Sequence, residues 1–112
     1  MTDKIVVLST CATAADGERL ARQLVESRLA ACVNVIPGAR SFYRWKGVVE
    51  DSPEVVLIIK SSRTLFDALR LELEKAHSYE IPEVLALSVV EGSEGYLHWL
   101  DGELRTAVES QD

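Results

Sequence analysis

Ile5–Leu8 is an unbroken run of strand-forming residues and predicts a buried strand over about Lys4–Thr10. The period then lengthens. Leu20, Leu24 and Val25 recur at helical spacing, and Thr13 followed by Asp16 has the form of a capping box with Asp in place of Glu, so a helix is expected from about Asp16 to Arg28. An extended arm follows from about Ala31 to Trp45, with Lys46–Gly47 as a turn. Val48, Val49 and then Glu54–Lys60 make the returning strand, whose core EVVLIIK is apolar on both faces. Ser61 or Ser62 is placed to cap a second helix with a stripe of Leu65, Leu69 and Leu73, ending near His77. HSYEIPE is a loop, Val84–Val90 a fourth strand broken by Gly92, Glu94–Arg105 a short third helix, and a polar tail begins at about Thr106.

The order β-α-β-β-α-β-α in one domain, residues 1–112, defines the fold class: α+β, a ferredoxin-like split β-α-β sandwich with an extra C-terminal helix. Both long helices then cover one face of an antiparallel sheet. The other face receives apolar side chains from the Val55–Ile59 run and has nothing of its own chain to cover it. The arm is also too long. A strand usually has about five or six residues, and this one continues past Pro37–Gly38, a pair suited to a bulge because proline donates no hydrogen bond to a ladder. Beyond the bend Ser41, Tyr43 and Trp45 point one way, and Phe42, Arg44 and Lys46 the other. Both excesses point to a neighbouring subunit, with Pro37, Gly38, Tyr43 and Trp45 at the interface.

Composition narrows the function. Of 112 residues 47% are hydrophobic and 27% charged, which fits a globular chain with a real core. The net charge of −6 argues against a nucleic-acid partner, which calls for a basic patch. The short apolar run near the N-terminus is neither a signal peptide nor a membrane span, and two cysteines, Cys11 and Cys32, are too few for a disulfide framework. A cytoplasmic, non-membrane protein is expected.

Candidate chemistry is sparse. With two histidines and no CxxC, HxxxH or HxxE cluster, the spacing gives only a weak metal signal, although a Cys/His/carboxylate combination suits copper or zinc; His77 by itself reads as a cation at a helix C-terminus. Lys60 at a strand end, with Tyr79, Glu80 and Glu83 in the loop before the last strand, reads either as an ion pair between Lys60 and Glu83 or as a small-ligand cleft in which Lys60, Tyr79 and Glu83 take part and Lys60 meets an anion. Tyr96 and Trp99 read as packing residues. An enzyme is not indicated: Cys11 between a strand and a helix lacks the Arg six residues on that a cysteine phosphatase needs (the position is Gly17), there is no Gly-rich phosphate loop, and His98 sits in a packing-like helix.

LAACVNVIPGARSFYRWKG, LIIKS, HSYEIPEV and YLHW, in that order, resemble the CutA family, the divalent-cation tolerance proteins, over nearly the whole chain from Val6 to Arg105. The resemblance implies a ferredoxin-like subunit in a tight homotrimer like that of the PII signalling proteins, with extended strands paired across the interface. It implies a role in tolerance of copper and other divalent ions. In some members copper is assigned to a Cys after the first strand and a His pair at the end of the second helix; here those positions carry Ser9, with Cys11 two residues on, and Ala76–His77. The family's His-Pro-Tyr is His77-Ser78-Tyr79. The expectation is therefore a non-enzymatic homotrimer with a role in metal response. By that resemblance it binds Cu(II) or another divalent ion weakly through His77 and Cys11, needs no metal to fold, and leaves room for a further protein partner. The alternative is a PII-like signalling trimer binding a small anionic effector at its subunit clefts, and a third class is a trimer that only presents a surface.

Overall fold

The computed structural model describes residues 2–106; the anticipated polar tail lies, after Thr106, outside the described residues. Strands β1 (Lys4–Cys11), β2 (Cys32–Trp45), β3 (Val48–Ser62) and β4 (Leu85–Ser88) and helices α1 (Ala14–Glu26), α2 (Phe66–Ala76) and α3 (Glu94–Glu103) follow the expected order. The sheet runs β2-β3-β1-β4 with every neighbouring pair antiparallel. Strands β1 and β2 flank β3 in parallel, which is the split β-α-β arrangement.

Alternation along the strands sorts the faces. Ile5, Val7, Ser9 and Cys11 of β1 and Val55, Leu57 and Ile59 of β3 are buried beneath the helices, joined by Leu20 and Leu24 of α1 and Leu69 and Leu73 of α2. Helix α1 comes closest at Gly17, where an added Cβ would stand 3.0 Å from Val35 and 3.3 Å from the Cys11 sulfur. Its start is set by Thr13, whose hydroxyl accepts the Asp16 N–H at 3.1 Å. Its end is set by Arg28 at φ 62°; the Arg28 side chain then donates to the last carbonyls of α3, Gly102 and Glu103.

Several boundaries differ from expectation, each for a local reason. The strand β1 continues to Cys11, which pairs with Val55. Val25 is exposed and the helical stripe is instead Gly17, Leu20, Leu24. Neither Ser61 nor Ser62 caps α2: the Ser61 hydroxyl donates to Leu29 O at 2.7 Å, Ser62 makes no capping bond, and a 3₁₀ turn, Arg63–Leu65, leads into the helix. The strand β4 has only four paired residues, and α3 stops at Glu103. Tyr96 and Trp99 are half-exposed, their rings 5.6 Å apart, while Leu100 is the residue that packs α3 down.

Strand β3 is continuous through Asp51–Pro53, so β2 and β3 form one long hairpin. Its turn, Lys46–Gly47, has φ 50° and 82°, the two-residue form that matches strand twist. Ile36 pairs with Val56 and Ala39 with Glu54, so Pro37–Gly38 oppose Val55 alone: a bulge. It changes the parity of β2. Before it Cys32, Asn34 and Ile36 share the face away from the helices; after it Ala39, Ser41, Tyr43 and Trp45 do. That face also carries Val6, Leu8, Val56, Ile58, Leu85 and Leu87, and the last two, with Ile36, are exposed.

Candidate functional site

A cavity of about 670 Å³ lies on this open face at the root of the hairpin. Its walls include Tyr43 and Trp45 from β2, Glu54 from β3, Thr10 from β1, and Tyr79 and Glu83 from the loop before β4. The bulge turns Tyr43 and Trp45 inward. At its floor Glu54 is only 8% exposed and accepts a 2.5 Å hydrogen bond from the Tyr79 hydroxyl. Burial, together with the adjacent Glu54 carboxylate, pushes the Tyr79 phenol well above its usual range, because both disfavour a phenolate.

His77 orders the loop. Its Nε2 stands 2.7 Å from the Thr10 carbonyl oxygen, which only accepts, so Nε2 carries the proton and donates. Nδ1 then accepts the Tyr79 N–H at 3.0 Å, and the two rings pack with centroids 4.8 Å apart. Loop and strand are tied by this one imidazole.

That geometry bears on the anticipated metal pair. Both His77 nitrogens are committed within the chain. Cys11 is fully buried against Gly17, its sulfur 3.5 Å from the Thr13 carbonyl. Burial first, with Asp16 and Glu54 nearby, raises its thiol pKa, so it stays a thiol rather than the thiolate a metal or a nucleophilic reaction requires. Among the described residues no group of three or more His, Cys, Asp or Glu side chains is placed to hold a metal ion. The donors of one chain do not fit a built copper site, because the expected ligands are spent on folding.

The anticipated cleft is also redrawn. Tyr79 and Glu83 line it, but Lys60 does not. Lys60 lies six residues along β3 from Glu54, roughly 20 Å at strand spacing, with its Nζ 3.5 Å from the Tyr96 hydroxyl and 5.7 Å from the Tyr96 ring centre. It pairs with neither Tyr79 nor Glu83. Glu54 takes its place, a residue sequence reasoning passed over as the first position of a strand. The signal was available: Glu54 shares parity with Val56 and Ile58 in an otherwise apolar run. Among the described residues of this chain no Lys or Arg lines the cavity.

A ferredoxin-like sheet with an open apolar face and an overlong bulged hairpin is thus the class of protein these features define. Residues 5–103 match the family model described as CutA1 divalent ion tolerance protein, and the chain belongs to that family. It is 45% identical over 105 residues to the divalent-cation tolerance protein CutA of Pectobacterium atrosepticum, covering 94% of this chain and 96% of that one. It is 42% identical over 101 residues to the chloroplastic protein CutA of Arabidopsis thaliana, covering 90% of this chain and 56% of the longer plant protein. The crystal structure of CutA from Xylella fastidiosa superposes with a TM-score of 0.90 at 38% identity, covering 93% of this chain and all of that one. No helix among the described residues is long and apolar enough to cross a membrane.

Proposed function

We infer that this chain works as a self-assembling divalent-cation tolerance protein, a cytoplasmic homotrimer that takes part in the response to metal ions and catalyses no reaction of its own. The observation that carries the assembly is the face away from the helices. Val6, Leu8, Ile36, Val56, Ile58, Leu85 and Leu87 lie on it with no layer of the described residues over the β4 side, and the hairpin holds Phe42, Val48 and Val49 largely in water. A surface of this kind is characteristic of an interface. The number three comes from the family resemblance, and the metal role from the name the relatives carry. The cytoplasmic placement is supported by two free thiols, Cys11 and Cys32.

In this reading metal response does not pass through a His77–Cys11 centre. The test is light scattering at low micromolar concentration, with a mass of three times 12.4 kDa expected. Copper titration by calorimetry accompanies it. A folded monomer at that concentration overturns the assembly.

A further inference from the structure

We propose that the cleft at the root of the hairpin binds a small organic cation, an ammonium or guanidinium group on an apolar body, with Glu54 as its counter-ion. Glu54 is more than nine-tenths buried, and its one hydrogen bond comes from Tyr79 through Oε2. Among the described residues it has no Lys, Arg or His partner, and Oε1 has no donor. A carboxylate taken out of water without a cation is costly, and the cost is recovered when a charged donor meets it. Glu54 is one of the residues that line the cavity.

The walls specify the rest of the ligand. Tyr43 and Trp45 present aromatic surface to the same space, which attracts a cation through the ring faces and packs an apolar body. Glu80 and Glu83 add negative charge at the rim, and the chain carries −6 overall, which draws cations in and repels anions. A volume of about 670 Å³ lies within the range of small-molecule sites. A metal ion is disfavoured because among the described residues no three suitable donors converge. A quaternary ammonium fits less well, since it has no N–H for the free carboxylate oxygen.

The proposal goes beyond the assembly reading and is tested on the assembled protein. The probes are 2-phenylethylamine, its neutral counterpart 2-phenylethanol and the anion phenylacetate, titrated by calorimetry into wild type, Glu54→Gln, Glu83→Gln and Tyr79→Phe. Wild type is expected to bind the amine saturably, one per chain, and the alcohol and the acid about tenfold or more weaker. Glu54→Gln should lose about tenfold for the amine and nothing for the alcohol, as expected of a charge-assisted hydrogen bond. Glu83→Gln should lose a few-fold at low salt only, and Tyr79→Phe should keep amine binding. Phenylacetate binding as tightly as the amine overturns the proposal. So does amine binding undiminished in folded Glu54→Gln, or no amine binding by wild type, as when a neighbouring chain fills the cleft. If Glu54→Gln fails to fold, the three-probe comparison on wild type and the salt dependence of Glu83→Gln decide. Light scattering on the same solutions separates the two readings: a trimer that ignores the amine sinks only this proposal, and a monomer that binds it sinks only the assembly.

Discussion

The Tyr79 hydroxyl and the Glu54 carboxylate meet at 2.5 Å across two elements 25 residues apart, and this bond closes the floor of the cleft. It holds the phenol in its neutral form. Tyr79 has a folded-state pKa raised above its unfolded value of about 10. The folded protein therefore binds that proton more tightly, and the stabilisation is fully present below about pH 10 and lost as pH rises through the raised value. Ultraviolet titration should show one of the tyrosines ionising late, with unfolding setting in over the same range. Tyr79→Phe should remove the late step; a titration in which all tyrosines ionise together near pH 10 contradicts the bond.

Charging the open face should block assembly. Leu87→Glu and Ile58→Glu each place a carboxylate where an apolar partner is expected, and Trp45→Ala removes aromatic surface from the hairpin. All three should lower the mass seen by light scattering. Arg70→Ala, on the outer face of α2 where it pairs with Glu74 at 3.0 Å, should leave it unchanged. Equal effects from Trp45→Ala and Arg70→Ala would contradict the surface assignment.

His77 is predicted to act as a tie between loop and strand. His77→Ala removes the donor to Thr10 and the acceptor for the Tyr79 N–H, at about 1 kcal/mol each. Urea unfolding without metal should show a loss of about 1–3 kcal/mol. Copper affinity of the folded variant should match that of wild type; a clear drop would return His77 to the role of ligand.

Gly17 fixes how close α1 sits to the sheet. Gly17→Val drives a branched side chain into Val35, Leu57 and the Cys11 sulfur, already at 3.0–3.4 Å from an added Cβ. Overpacking of this kind costs about 1–3 kcal/mol, read as a lower midpoint of thermal unfolding. Thr13→Ala, which removes only the helix cap, should cost about 1 kcal/mol.

Much of the architecture was legible because periodicity reports burial directly. The Leu65–Leu69–Leu73 stripe and the two-faced EVVLIIK run appear in the structure as read. Helix starts were less legible: Ser61 has the right chemistry for a cap, but its hydroxyl is taken by the Leu29 carbonyl, a contact between residues 32 apart that no local pattern contains. The site was read in part. Tyr79 and Glu83 lie where loop residues before an edge strand are expected, whereas placing Lys60 with them ignored distance along a strand, and Glu54 was hidden by treating a buried charge as a strand boundary. His77 was read by type, as ligand or helix-end cation, when its two neighbours had already claimed both nitrogens.

The Pro37–Gly38 bulge makes the wall of the cleft sensitive to arithmetic rather than to chemistry. Deleting one of the two bulge residues would leave the faces as they are, whereas if β2 ran through Pro37–Gly38 in simple alternation with no residue lost, Arg40, Phe42 and Arg44 would take the inner side in place of Ser41, Tyr43 and Trp45. A carboxylate-floored, aromatic recess would become one bordered by guanidinium groups, with its preference for charge inverted and no residue type changed. Between this bulge and the turn at Lys46–Gly47, matched additions to both strands in steps of two would only lengthen the hairpin, while steps of one would exchange its faces. The length of this arm is therefore constrained to even steps, independently of which side chains it bears.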